Sequence, residues 1–282
     1  MCQADRDGGD KGVSSMKERT TSVAWQTIRM TGAIANDKID EIAAEYPLTI
    51  RLDGEEFATM VCSPNDLDDL VVGFLASEGV VRAYDEIKAL TLDIEGGFAN
   101  VSLHRPQSTG KDFYSKRFIG SCCGKSRQFY FHNDARTAKT LTGGPRLTVQ
   151  QCFNYMHILQ AQSAEFHVTG GVHNAALFHK ETGLVAARMD IGRHNALDKL
   201  FGHALKLRIP AKQHTIAFSG RLSSEIVLKA AKIGCPILLS KSAPTDLAMR
   251  LAEDLGITCV GFIRADSMNI YTHADRILHQ TT

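Results

Sequence analysis

The chain has 282 residues, enough for one large domain or two ordinary ones with a substantial core. Hydrophobic residues make up 44% and charged residues 22%, and the formal net charge is +1, a balance that gives no reason to expect nucleic acid or an acidic membrane surface as partner. No run approaches the roughly 20 apolar residues of a membrane-spanning helix. Seven cysteines, at 2, 62, 122, 123, 152, 235 and 259, are odd in number and scattered, which is no disulfide framework. A cytoplasmic protein with free thiols is expected.

Residues 1–22 are polar, mixed in charge and without an apolar segment, and read as a disordered leader rather than a signal peptide. The first half then has α+β character. "PLTIRLDGEEFATMV" (47–61) is two strands joined by Asp53-Gly54, the dipeptide of a two-residue hairpin turn. In "SPNDLDDLVVGFLASEG" (63–79), Ser63 is placed to cap a helix and Pro64 fits its first position, while Asp66 and Asp68 suit its positive end. Leu67, Leu70, Val71, Phe74 and Leu75 keep one face apolar, and Gly79 ends the helix. "IKALTLDIEGGFANVSLH" (87–104) predicts a second hairpin turning at Gly96-Gly97. A boundary is expected near 112–120, after the polar stretch "RPQSTGKD", which divides the chain into a small domain over 23–117 and a larger one over 118–282.

The second half opens with "FIGSCCGKSR" (118–127), then a helix from about Thr148 and a hairpin within 174–190. Its last seventy or so residues alternate regularly. "TIAFSG", "PILLS" and "ITCVGFIR" read as strands, with helices between them ending at Gly234 and Gly256. That order implies parallel strands with crossover helices. Ligands of such sheets collect beyond the carboxyl ends of the strands. Those ends carry Ser219-Gly220-Arg221, Ser240-Lys241-Ser242 and Arg264-Ala265-Asp266-Ser267, hydroxyls and amides with a cation in each, suited to a phosphate or other oxyanion. Whether the three share one edge, or are merely solvated loops, is left open by the sequence.

Adjacent Cys122 and Cys123 are a separate question. Neighbouring Cα atoms lie about 3.8 Å apart, short of the roughly 4.4–6.8 Å of an ordinary disulfide, so a structural bridge between them is disfavoured. Zinc asks for about four ligands at wider spacing, and no second pair is present. A nucleophile fits better, because Lys125, Arg127 and loop amides favour thiolate, while Gly120 and Gly124 let the loop bend. A pair of small buried cysteines is the plain alternative. "VTGGVHNAA" (168–176) places His173 after a strand-like run and Gly-Gly, and "MDIGRHNALDK" (189–199) gathers Asp190, Gly192, Arg193, His194 and Asn195 before an amphipathic helix. Arg193 offers a planar fork for phosphate or a pterin edge. His173 and His194 each read equally as acid–base groups or as structural contacts.

Taken together, "SCCGKSRQFYFHND", "TGGVHNAALF", "DIGRHNALDKLFG", "FSGRLSSEIVLKAAKIGCPILLSKSAPTDLA" and "GFIRADSMNIYTH" resemble the formate dehydrogenase accessory sulfurtransferase family, from about residue 25 to the C-terminus. The resemblance implies an α/β protein: a small N-terminal α+β domain followed by an α/β domain with a cytidine deaminase-like fold. It implies a sulfur carrier that takes persulfide sulfur from a cysteine desulfurase and passes it to the molybdenum (or tungsten) bis-guanine-dinucleotide cofactor before insertion into formate dehydrogenase. It also implies a homodimer, and zinc is not expected. The family's cofactor stretch maps onto Phe262, Ile263, Arg264, Ala265, Asp266 and Ser267. With Arg221, Lys241, Arg193 and His194, these are the expected cofactor-binding residues.

Many members carry Cys-x-x-Cys where this chain reads Cys122-Cys123-Gly124-Lys125-Ser126. One register sets Cys123 and Ser126 on the two family cysteines, and the other sets Gly120 and Cys123 there. Both place Cys123 at a family cysteine, which makes it the expected persulfide residue, with Cys122 as a relay or resolving thiol. Deamination is excluded despite the implied fold. It requires His-x-Glu followed by Pro-Cys-x-x-Cys, whereas His173 is followed by Asn174-Ala175 and Cys235-Pro236 runs in reverse. The alternative to sulfur transfer is a chaperone that binds the cofactor without covalent chemistry.

Overall fold

The computed structural model describes residues 19–105, 117–119 and 140–278. Among the described residues, strands β1 (Ser22–Thr31) and β2 (Ile34–Ala43) pair only with each other, as an antiparallel arm. β3 (Tyr46–Leu52) and β4 (Glu55–Cys62) form the expected hairpin, with Asp53 at φ 48° and Gly54 at φ 90°, the two left-handed positions that such a turn requires. Helix α1 (Leu67–Ser77) follows, then β5 (Ile87–Asp93) and β6 (Phe98–Leu103), the second expected hairpin. With β7 (Arg117–Ile119) they complete a five-stranded sheet of order β5-β6-β3-β4-β7.

Helix α1 starts differently from the sequence reading. Asp66, left-handed at φ 48°, occupies the cap position without a side-chain capping bond. Ser63 is engaged elsewhere: its N–H donates to Asp190 Oδ2 at 2.9 Å, and its Oγ accepts from the Ile191 N–H at 3.0 Å. A buried carboxylate from far along the chain has taken the residue that local geometry assigned to the helix.

The second half begins with β8 (Leu147–Thr148) and α2 (Val149–Ala161), whose Thr148 and Gln151 form a reciprocal capping box. The strand-like run before Gly170 is instead a short helix, α3 (Ala164–Thr169), closed by Gly170 at φ 67°. Then come β9 (His173–His179), β10 (Gly183–Asp190), α4 (Arg193–Lys206), β11 (His214–Phe218), α5 (Ser224–Ile233), β12 (Ile237–Ser240), α6 (Asp246–Leu255), β13 (Thr258–Gly261), β14 (Asn269–Ile270) and β15 (Ile277–Leu278). The sheet order is β10-β9-β11-β12-β13-β14, and β15 pairs with β8. β11, β12 and β13 are parallel, as the sequence predicts, while β9, β10 and β14 add antiparallel. The fold is therefore mixed α and β. Among the described residues no helix is long and apolar enough to cross a membrane.

One apolar core runs across the chain, from Leu48, Ile50 and Met60 through Leu70 and Leu75 to Leu197, Leu200, Ile216 and Leu238. Its centre is the crossing of α1 and α4, more extensively packed than any other described pair of elements. Two glycines permit it. A Cβ on Gly73 would stand 1.7 Å from the Asp198 carbonyl oxygen, and one on Gly202 would stand 1.9 Å from that of Asp69. Buried charges are matched around this crossing. Asp198 accepts from Ser77 Oγ and Lys229 Nζ. Arg188 Nε donates to Asp69 Oδ2 at 2.8 Å. Lys199, fully buried, lies 2.8 Å from Asp190 Oδ2 and donates to the carbonyls of Ser63 and Met189 at 3.2 and 3.1 Å.

Glycine to alanine inside a helix normally stabilises by about 1 kcal/mol. Gly202→Ala has the opposite sign here, destabilising by roughly 1–3 kcal/mol through overpacking, as read from denaturant midpoints. Lys199→Met leaves the buried Asp190 carboxylate uncompensated and costs roughly 3–5 kcal/mol in the same assay.

Candidate functional site

Strand pairing places the three expected ligand-binding segments on one edge. Phe218 lies opposite Ser240, and Leu239 opposite Val260, so β11, β12 and β13 end side by side. Hydrogen bonds knit the segments that follow. Ser240 Oγ donates to the Gly220 carbonyl at 2.7 Å and accepts from the Ser242 N–H at 2.9 Å. The Ile263 N–H donates to Ser240 O at 3.1 Å, the Phe262 N–H to Ser242 O at 3.2 Å, and Arg264 Nη1 to the Lys241 carbonyl.

Arg221, Lys241, Arg264, Ala265, Asp266 and Ser267 are exposed along this edge. Phe262 is also exposed and sits at φ 52°, a left-handed conformation unusual for a bulky residue and of the kind that collects at ligand sites. Ile263 differs from its neighbours. Its side chain is fully buried in a second apolar cluster under α2, so a ligand at the edge meets Ile263 only through its backbone. The Arg264 N–H donates to Ser267 O at 2.8 Å, closing 264–267 into a tight turn.

The start of α4 joins the same place. A Cβ on Gly220 would lie 2.8 Å from the Phe218 ring and 3.4 Å from Arg193 Cβ, so β11 and α4 approach closely where no side chain intervenes. Asp190 Oδ1 holds the helix start, accepting from the Gly192 N–H at 2.8 Å and from Asn195 Nδ2 at 3.0 Å. Arg193 and His194 stand in the first turn. His194 Nε2 lies 3.0 Å from Glu225 Oε2 in the first turn of α5. Burial holds the His194 imidazole below its ordinary range, against the opposing pull of Glu225.

His173 opens β9, with Nδ1 3.3 Å from Ser219 Oγ, which also accepts from the Asn174 N–H at 2.9 Å. Burial lowers the His173 pKa, the Arg193 charge adds to this, and Asp190 opposes it. The fold thus sets Arg193 and His194 beside His173 and Gly220, while Arg221, Lys241 and Arg264 follow the adjacent ends of β11, β12 and β13. Arg193 Nε and Ser223 Oγ are buried without a hydrogen-bond partner among the described residues, a condition a bound acceptor or donor would relieve. Cations, strand-end amides and the N-terminus of α5 make this edge chemically suited to an oxyanion. The sequence reading missed Glu225 and Ser223. Their signal was the "SSE" at the start of a helix following a strand-end Arg, readable as a cap but not as a partner for His194.

Cys122 and Cys123 lie outside the described residues, as do Gly120, Gly124, Lys125, Ser126 and Arg127. The four described cysteines, Cys62, Cys152, Cys235 and Cys259, are all buried and free. Burial pushes the thiols of Cys152, Cys235 and Cys259 up to about 12. The Cys62 thiol is pushed well up by burial, with the Asp190 charge adding to it. None of the four is a thiolate near neutral pH, and none is placed for nucleophilic chemistry.

A family model described as the FdhD/NarQ family matches residues 43–278. Among curated proteins, "Sulfur carrier protein FdhD" of Geobacillus kaustophilus is 57% identical over 239 residues, covering 85% of this chain and 90% of that protein. The protein of the same name from Bacillus subtilis is 52% identical, covering 84% and 90%. Among solved structures, a protein described as a formate dehydrogenase accessory protein from Desulfotalea psychrophila superposes with a TM-score of 0.76. It covers 92% of this chain and 100% of that one, at 24% identity, and shows a shared fold. With a family match spanning both sheets and relatives above half identity, the chain belongs to the FdhD/NarQ family.

Proposed function

We propose that this chain is a sulfur carrier in formate dehydrogenase maturation, with Cys123 as the residue that bears the sulfur. Relatives at 52–57% identity are named sulfur carrier proteins. The observation that carries the assignment to a residue is the state of the thiols: four of the seven are buried and held protonated. That leaves Cys2, Cys122 and Cys123. Only the adjacent pair has glycines and cations beside it in sequence, the surroundings that favour a thiolate.

The chemistry is a sulfane transfer without net oxidation. The Cys123 thiolate attacks the outer sulfur of a persulfide on a cysteine desulfurase. A new S–S bond forms at Cys123, the donor's S–S bond breaks, and the donor cysteine departs as thiolate. Cys122 relays or resolves the sulfur. The acceptor is the molybdenum (or tungsten) bis-guanine-dinucleotide cofactor, bound as substrate. Its phosphates are held by Arg193, Arg221, Lys241 and Arg264, and the 262–267 turn presents Phe262 and backbone amides. Formate dehydrogenase is the recipient, the compartment is the cytoplasm, and the carrier works as a homodimer. Two thiols are not essential to this scheme, which suits a loop that lacks Cys-x-x-Cys.

Native protein treated with iodoacetamide at neutral pH takes up at most three adducts, and unfolding in denaturant raises the number to seven. Incubation with a cysteine desulfurase and L-cysteine, without reductant, adds about 32 Da, one sulfur atom, removable by dithiothreitol. The gain survives in Cys122→Ser and is lost in Cys123→Ser. Loss in Cys122→Ser alone would move the role to Cys122. No gain in wild type, with the desulfurase shown active, would favour a cofactor chaperone instead.

A further inference from the structure

The β1–β2 arm presents apolar surface that no other described residue covers. Each strand is ten residues long, the two pair only with each other among the described residues, and the Ala44 N–H to Thr21 O bond at 2.8 Å closes their base. The arm meets the rest of the described chain near that base, where α3 packs against β2 and a Cβ on Gly171 would lie 2.9 Å from Ala43 Cβ. Beyond it, Val23, Trp25, Ile28, Met30, Ile34, Ile39 and Ile42 are 41–72% exposed. The register divides them between both faces: Val23, Trp25, Ile34 and Ile42 on one, Ile28, Met30 and Ile39 on the other. An isolated two-stranded ribbon is marginal in water, and contiguous exposed apolar surface marks an interaction site.

We propose that the arm is the contact by which two copies of this chain associate, each arm lying against the second copy. This rests on the two-copy reading above and adds where the contact is. Three features favour a second copy. Apolar side chains on both faces need cover on both sides, which a flat partner surface cannot give. Both edges of the ribbon are open among the described residues, and like strands pair antiparallel across a two-fold axis, a self-complementary contact. Area points the same way: at about 3.4 Å per residue and about 4.8 Å between strands, the two faces of one arm offer on the order of 650 Å². Two arms then contribute about 1,300 Å², within the roughly 1,200–2,000 Å² of a specific interface. The arm carries Arg29 and Lys38 against Asp37, Asp40 and Glu41, a balance that does not suit nucleic acid or an anionic membrane.

The chain's single tryptophan, Trp25, is on this arm and 59% exposed, so its emission reports on the contact without any substitution. Full-length protein is to be followed by light scattering and tryptophan emission over a dilution series, with Ile28→Glu/Ile39→Glu as the variant. The expected result is a dimer whose Trp25 emission is blue-shifted and moves to the red as the dimer dilutes away. The variant should be a monomer with red-shifted emission and an unchanged far-ultraviolet spectrum. A wild-type dimer whose Trp25 emission stays that of an exposed indole at every concentration overturns the arm contact while leaving the dimer itself standing. So does a variant that remains dimeric. A wild type that is monomeric at every concentration overturns both, and assigns the arm to a different protein.

Discussion

The crossing of α1 and α4 at Gly73 and Gly202 is the contact on which the remaining geometry depends. Two backbones approach there to a distance that forbids even a methyl group. The helices come from the two halves of the chain, so their contact is also what joins the first sheet to the second. Buried charge makes the arrangement specific. Asp69, Asp190, Asp198, Lys199 and Lys229 lie beside the crossing, each with a matched partner, and a sliding of the helices would strand ions in an apolar core.

Asp190 carries that constraint to the candidate site. One carboxylate accepts from the backbone of Ser63 and Gly192 and from the side chain of Asn195, while Lys199 neutralises it. It therefore fixes the entry to α1 and the start of α4 together, and the start of α4 is where Arg193 lies beside Gly220 at the end of β11 and His194 meets Glu225 of α5. The cationic edge is thus held by strands and a buried ion pair rather than by surface loops, which favours a preset geometry for an anionic ligand. The thiol pair is encoded apart from it, in the segment between β7 and β8.

Much of this was legible in the sequence because it is local. Asp53-Gly54 specified its hairpin through backbone conformation alone, Thr148 and Gln151 their capping box, and Gly234 and Gly256 the left-handed ends of α5 and α6. The alternation of strands and helices near the C-terminus was sufficient to call for a parallel sheet and to point to its carboxyl edge. The arm was not legible. Its apolar residues fall on both faces, so no period-two pattern marks an inner side, and its turn carries only Gly32 before Ala33 rather than the stronger Asn-Gly or Asp-Gly signal.

What the sequence by itself determined was the type of most elements outside the arm, the turns and caps set by neighbouring residues, and the family resemblance. The tertiary structure alone decided which residues meet. Ser63 had every local qualification for a cap, yet bonds to Asp190 because a buried carboxylate must find donors wherever they lie. Ile263 sits within the expected ligand stretch, yet its side chain fills the core because its N–H is tied to Ser240 O just past the end of β13, over the second apolar cluster. Glu225 reached His194, and three strand ends became one edge, through pairings between residues far apart in the chain. Local preference is set by a few neighbouring dihedrals, whereas contacts of that kind exist only once the whole core has closed.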